Sequence, residues 1–311
     1  MDLEKDPHVL AIGESLIDIV YPAGKPEEAE KHPGGSPANV AMTLGRLGRP
    51  VVLQTWFGQD EHGRMINDHF TASNVVITAE SHGAHHTTTA AAELDEKGAA
   101  TYTFDFDWNP TTPIHVGAGA RIIHAGSISA AQEPGASAVL EALERGRSRA
   151  LITYDPNARP SIMGSPHQAL ALVEKFVAQS DLIKVSDEDI AWLTGSHDLD
   201  TTIDRWLGMG PSVIIVTRGK EGGLAVTRSG IRMAHTPKDV TVVDTVGAGD
   251  SFMGGILDSL WSLGLTGAEA REALSRISED TVSQILERAS SVSDVTVSRA
   301  GANPPWAHEL N

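Results

Sequence analysis

The chain has no cysteine in 311 residues. Disulfides, thiolate metal sites and thiol catalysis are therefore excluded together. It is also short of basic residues, with 24 Lys and Arg against 41 Asp and Glu and a formal charge of −17. A surface that binds nucleic acid or an anionic membrane needs basic patches, and this balance argues against both partners. No apolar run approaches the ~20 residues that cross a bilayer. The segment Met1 to Glu14 carries acids and no signal-like apolar stretch, so a cytoplasmic protein is expected. Internal repeats, low-complexity tracts and long linkers are missing too. Pro and Gly are scattered as turns, and a single domain over 1–311 is expected.

What is present is core material: 41% of residues are hydrophobic and only 21% charged, which excludes a disordered chain. Short apolar runs recur at Val9–Ile12, Val51–Trp56, Arg121–His124, Leu151–Tyr154, Leu182–Val185 and Val213–Thr217. They are continuous rather than alternating, as in parallel strands buried on both faces. Helical spacing separates several of them, as in Gln168–Gln179 and Ser251–Leu263. Strands alternating with helices predict a doubly wound α/β fold. Thr87–Leu94 and Ala99–Phe106 break that rhythm. They read as a β-hairpin around Asp95-Glu96-Lys97-Gly98, with Tyr102, Phe104 and Phe106 on one face. Such a piece serves either as a lid or as an extra hairpin packed on the core.

The chemistry concentrates in Asp244-Thr245-Val246-Gly247-Ala248-Gly249-Asp250-Ser251-Phe252. Read locally, the Val242-Val243 strand runs into a small-residue turn and then a helix. Gly247 and Gly249 let backbone N–H groups turn inward, and the helix start adds partial positive charge, which makes an anion site. Asp250 at that terminus is placed to act on a hydroxyl that approaches a bound phosphate. A tight strand–helix turn with an ordinary Asp reads the same residues without chemistry. A dinucleotide fingerprint fails because Phe252 stands where a small residue belongs. A Walker A loop fails because Gly24-Lys25 and Gly219-Lys220 are followed by Pro26 and Glu221.

That segment resembles the C-terminal signature of the ribokinase, or PfkB, family of sugar and nucleoside kinases. The family's other signature is matched by Pro33-Gly34-Gly35-Ser36-Pro37-Ala38-Asn39-Val40-Ala41, followed by Leu44-Gly45-Arg46-Leu47-Gly48. Gly58-Gln59-Asp60-Glu61-His62-Gly63, Asp155-Pro156-Asn157-Ala158-Arg159, Lys184-Val185-Ser186-Asp187-Glu188-Asp189 and Val216 to Gly223 follow in the family's order and spacing. The resemblance covers nearly the whole chain. It implies a ribokinase-like, mainly parallel sheet flanked by helices, with lid insertions near 14–34 and 84–110.

It also implies roles. Asp250 would be the base that takes a sugar hydroxyl's proton, and the amides of Gly247, Ala248 and Gly249 would hold the transferring phosphoryl charge. Asp18, Gly34, Gly35, Asn39 and Arg159 would form the sugar site. On the residues alone, Asn39 reads as a helix cap and Arg159 as a surface ion pair. Ser186 and Asp189 stand where the family usually has an Asn-x-x-Glu pair that positions Mg²⁺ through water. Thr217, Gly219 and Gly222 resemble the ATP-side loop. Asp244, with carbonyls near Val246 and Gly301, resembles a monovalent-cation (K⁺) site. His82, His85 and His86 lack partners at ligand spacing and read as a solvated loop. His124 reads equally as a sugar-pocket border or a core histidine.

Both the Pro-Gly-Gly-Ser-Pro-Ala-Asn-Val-Ala and Lys-Val-Ser-Asp-Glu-Asp runs look most like fructokinases. Ala99–Trp108 holds no Arg or Lys. A buried sugar carboxylate would be unpaired there, so a neutral sugar is expected. Fructokinases, too, usually carry a basic residue in this lid. The expected reaction is ATP-dependent phosphorylation of D-fructose to fructose 6-phosphate, by a monomer or a homodimer joined through the lid. Alternatives are a kinase for ribose, a nucleoside or ketodeoxygluconate, a non-catalytic sensor, and an oxidoreductase.

Overall fold

A computed structural model describes residues 1–94, 100–110 and 113–310. The first strands are β1 (His8–Ile12), β2 (Leu16–Tyr21), β3 (Glu30–Gly34), β4 (Val51–Gln54), β5 (Val76–Ile77), β6 (Thr89–Leu94) and β7 (Ala100–Asp105). Then come β8 (Ala120–Gly126), β9 (Leu151–Asp155), β10 (Leu182–Ser186), β11 (Val213–Thr217), β12 (Gly223–Thr227) and β13 (Arg232–His235). The helices begin with α1 (Ser36–Arg46), α2 (Glu61–Thr71), α3 (Gly135–Gly146), α4 (Pro160–Met163) and α5 (Pro166–Gln179). They continue with α6 (Asp187–Thr194), α7 (Leu199–Leu207), α8 (Ala248–Ser262), α9 (Ala270–Ser275) and α10 (Glu279–Val297).

Nine strands form one sheet in the order β13-β12-β11-β10-β9-β8-β1-β4-β5. It is parallel from β11 to β5, and β12 and β13 close it antiparallel. The continuous apolar runs are explained by β1, every residue of which is buried. Val9 and Ala11 pack into one apolar layer with α1, α8 and α10. Leu10 and Ile12 pack into the other, with α3 and α5 to α7. Burial on both faces leaves no position for a polar alternate.

A second sheet of four strands runs β3-β2-β6-β7. β2 pairs antiparallel with β3 and parallel with β6, and β6 pairs antiparallel with β7. The hairpin expected at 87–106 is thus two strands of a larger sheet, and its turn Asp95–Gly98 lies outside the described residues. Its first arm starts two residues later than the apolar pattern suggests. Thr87 is taken by side-chain bonds to Asp60, and Thr88 exchanges hydrogen bonds with the Asp107 backbone. Phe104 and Phe106 are half-buried while Thr103 and Asp105 are exposed, the alternation of a one-sided sheet.

One local reading is corrected. Val242-Val243 is not a strand but part of an extended loop from 236 to 247, and Val242, Val243 and Val246 are 58%, 60% and 54% exposed. The amides of Val243 and Asp244 donate to the Val297 carbonyl at the end of α10 instead of to a sheet edge.

Candidate active site

Helix α8 begins without a side-chain cap. Gly247 stands at its N-cap with φ +73°, and a Cβ there would lie 2.7 Å from Ala302 Cβ, so both conformation and space demand glycine. The Ala248 amide turns back to Thr245 O at 3.2 Å. The amides of Gly247, Gly249 and Asp250 have no acceptor among the described residues. These free N–H groups point out of a helix start, where the peptide dipoles add positive potential. This is the geometry of an anion site.

Asp250, in the first turn, is 7% exposed. Ser36 Oγ donates to its Oδ1 at 2.7 Å and Asn39 Nδ2 donates to its Oδ2 at 2.8 Å. Asn157 Nδ2 donates to Ser36 Oγ at 2.7 Å and reaches Asp250 Oδ1 at 3.4 Å. The carboxylate plane is therefore set by side chains from α1 and from the turn after β9. Asn39 is no helix cap. Its Oδ1 is buried without a hydrogen-bond partner, an acceptor left for a ligand's hydroxyl.

The sequence pattern gave no role to Lys184 or Asp155. Lys184 Nζ donates to Asp155 Oδ2 at 2.9 Å, with the two side chains 4% and 1% exposed. Burial pushes Asp155 up to about 6, so it is ionised at neutral pH. Burial opposes charge on Lys184, but Asp155, Asp189 and Asp250 outweigh it and raise the lysine above its ordinary value. A Lys inside the buried run Leu182–Val185 was the available signal, since an unpaired charge there would be too costly.

Ser186 and Asp189 form a capping box at the start of α6. Ser186 Oγ accepts from Asp189 N at 2.9 Å, and Asp189 Oδ2 accepts from Ser186 N at 3.3 Å. Asp189 Oδ1 also accepts from Ala158 N at 3.0 Å. No group of three or more acidic or histidine side chains converges as metal ligands among the described residues. Each Asp189 oxygen accepts one backbone amide and keeps a lone pair that a water can fill.

On the sugar side, Gly35 has φ +112°, and a Cβ there would lie 2.3 Å from Glu14 O, so only glycine lets the chain pass from β3 into α1. A Cβ on Gly34 would lie 2.8 Å from Asp18 Oδ2. Asp18 is exposed on β2. Crowding by protein pushes its carboxyl up to about 6, against the pull of His32 and Arg159. Arg159 is exposed, and its Nη1 donates to Asn157 Oδ1 at 2.7 Å rather than to a surface acid.

A cavity of about 850 Å³ opens beside Arg159. Arg159, Lys184, Ser186, Asp189, Thr217, Gly219, Gly222, Ala248 and Gly249 all line it. Asp18, Gly34, Gly35 and Asn39 do not; Asn39 is tied to Asp250, which Asn157 at the cavity wall also reaches. Asp244 lies outside as well. Its Oδ1 and Oδ2 accept from Val246 N and Gly301 N at 3.0 and 2.8 Å, and these two bonds hold its carboxyl below the usual range. His124 is a core residue bonded to Thr153, driven down to about 3 by burial and by Lys184. His86 pairs with Asp105 on the neighbouring strand at 2.9 Å.

The chain matches the pfkB family carbohydrate kinases over residues 6–309 and belongs to that family. It is a sugar kinase. Among its relatives, a fructokinase of Rhizobium leguminosarum bv. trifolii is 33% identical over 261 residues, covering 81% of this chain and 79% of its own. The fold matches the fructokinase of Xylella fastidiosa with bound ATP at TM-score 0.81 and 24% identity, over 100% of this chain and 98% of that one. It also matches a fructokinase double mutant of Vibrio cholerae O395, solved with fructose, ADP and potassium ion, at TM-score 0.77 and 24% identity, over 95% and 94%. Among the described residues no helix is long and apolar enough to cross a membrane.

Proposed function

We propose that the chain transfers the γ-phosphoryl group of ATP to a hydroxyl of a neutral sugar, D-fructose to fructose 6-phosphate. The observation that carries this reading is the meeting of Asp250, braced from the sugar side by Ser36 and Asn39, with the unbonded amides at the start of α8. Asp18 and Asn39 accept and donate to sugar hydroxyls, Gly34 and Gly35 let the backbone approach the ring, and Arg159 closes the same recess. Asp250 takes the hydroxyl proton as the oxygen attacks. The amides of Gly247 and Gly249 hold the phosphoryl oxygens, and Ala248 joins them once its N–H leaves Thr245. Positioning and electrostatics of this kind suffice for phosphoryl transfer.

The ATP lies in the large cavity beside Thr217, Gly219 and Gly222. Mg²⁺, held by Ser186 and Asp189 through water, neutralises phosphate charge when bound. Asp244, with carbonyls of the Val246 and Gly301 segments, would hold K⁺ and supply a fixed positive charge near the turn. The four-stranded sheet acts as the lid, excluding water from the reacting phosphate. The protein acts as a monomer or as a homodimer joined through the aromatic face of this lid.

Fructose itself is supported by the relatives' names, while the absence of Arg and Lys from Ala99–Trp108 favours a neutral over an acidic sugar. The test is ADP release from Mg·ATP with fructose, ribose, ketodeoxygluconate, adenosine and inosine. Fructose gives the highest kcat/KM on this reading. Preference for another acceptor reassigns the substrate, and no stimulation by any acceptor removes the kinase reading of the site.

A further inference from the structure

We propose that Lys184 is a catalytic residue whose ammonium meets the phosphoryl oxygens at the start of α8, with Asp155 as the residue that positions it. This rests on the phosphoryl-transfer reading above. The argument starts from where the charge lies. A Cβ placed on Gly249 would stand 2.9 Å from Lys184 Nζ, so the ammonium sits directly beneath the first turn of α8. A cation does not belong there. The helix start is already positive, and free amides of Gly249 and Asp250 add to it.

Its surroundings in the protein supply only part of what the ammonium needs. Three N–H donors are available on Nζ, and Asp155 takes one. No other hydrogen bond to it is present among the described residues, although Asp189 and Asp250 act on it through space. The side chain is 4% exposed yet lines the large cavity beside Ala248 and Gly249. Unused ammonium donors and the start of α8 therefore border one cavity. An anion there completes both, and a phosphoryl group carries the required oxygens.

During transfer the bond from the sugar oxygen to phosphorus forms and the bond from phosphorus to the β-phosphate oxygen breaks. That electron pair leaves with ADP, and the hydroxyl proton goes to Asp250. Lys184 keeps its own proton throughout. It offsets charge on the oxygens of the moving group, and its ion pair with Asp155 at 2.9 Å holds it in place.

The decisive comparison is Lys184→Met against the double variant Lys184→Met/Asp155→Asn. Removing one member of a buried pair strands the other, whereas replacing both restores neutrality. If the pair acts on the phosphoryl group, kcat falls about 10²–10³-fold in both variants, with sugar KM and melting temperature of the double variant close to wild type. Recovery of kcat to within about threefold of wild type in the double variant would overturn the proposal. Lys184→Gln, which removes the charge and keeps a polar tip, serves where the methionine disturbs the fold.

Titration with ATP without any sugar separates this from the sugar assignment. If wild type shows no sugar-stimulated turnover, the kinase reading fails on its own terms. In that case at least tenfold weaker ATP binding by the double variant supports an anion contact at Lys184, and unchanged binding overturns it.

Discussion

Two helix starts face the same cavity, and they are built in opposite ways. The start of α6 is closed: Ser186 and Asp189 satisfy each other's backbone, and Asp189 also ties down Ala158. The start of α8 is open, with a glycine at its cap and amides left without acceptors. A closed terminus holds a carboxylate still. An open one keeps its electrostatic potential for a ligand. The contrast separates the part of the site that orients from the part that binds charge.

The strongest way to break the contrast is to disable the acid on the open terminus. Asp250→Asn keeps the shape and the bonds from Ser36, but cannot take a proton at neutral pH. A fall in kcat of at least about 10²–10⁴ is expected, with ATP affinity retained in a binding titration. Turnover close to wild type would remove Asp250 from the base role.

Asp18 tests the sugar side and adds a pH signature. Only its carboxylate accepts from two hydroxyls, and its pKa of about 6 lies within reach of ordinary assays. Sugar KM in the wild type is expected to rise about tenfold per pH unit below 6. In Asp18→Asn it starts about 10–100-fold higher and loses that limb. The sign for stability is opposite. A folded pKa above the model value of 3.8 means that the folded state holds the proton more tightly, so protonated Asp18 favours folding at low pH. That contribution disappears as pH rises through 6, and at pH 7.5 the Asn variant should melt no lower than wild type.

Ser36→Ala removes one short bond to Asp250 and the contact that Asn157 makes through it. A kcat loss of about tenfold follows, with sugar KM little changed; restoration by Ser36→Thr separates positioning from packing. The smallest effect belongs to the closed terminus. Ser186→Ala costs about 1 kcal/mol of stability, read as a melting shift of about 1–2 °C. If its hydroxyl also serves Mg²⁺ through water, the Mg²⁺ concentration for half-maximal rate rises as well.

The open terminus was legible in the sequence, because Gly-Ala-Gly-Asp states both a positive-φ turn and an acid at fixed spacing. The α/β alternation was legible for a similar reason, since strands buried on both faces must be apolar throughout. The brace around Asp250 was not. Ser36 and Asn157 lie 214 and 93 positions from it, and no local period connects them. The loop ahead of α8 was misread because paired valines signal a strand only when a sheet edge is there to receive them. Lys184 sat in plain view, but a charge inside an apolar strand declares only that some partner exists. Which partner, and what lies above it, are facts of the folded chain.

One consequence of the uncapped helix concerns inheritance. A donor supplied by the main chain is the same in every amino acid except proline. Replacements around Gly249 other than by proline therefore alter the shape of the turn without deleting its hydrogens. Selection at this turn acts on backbone path, which Gly247 holds against Ala302, while the functional group itself is renewed by any sequence that keeps the path.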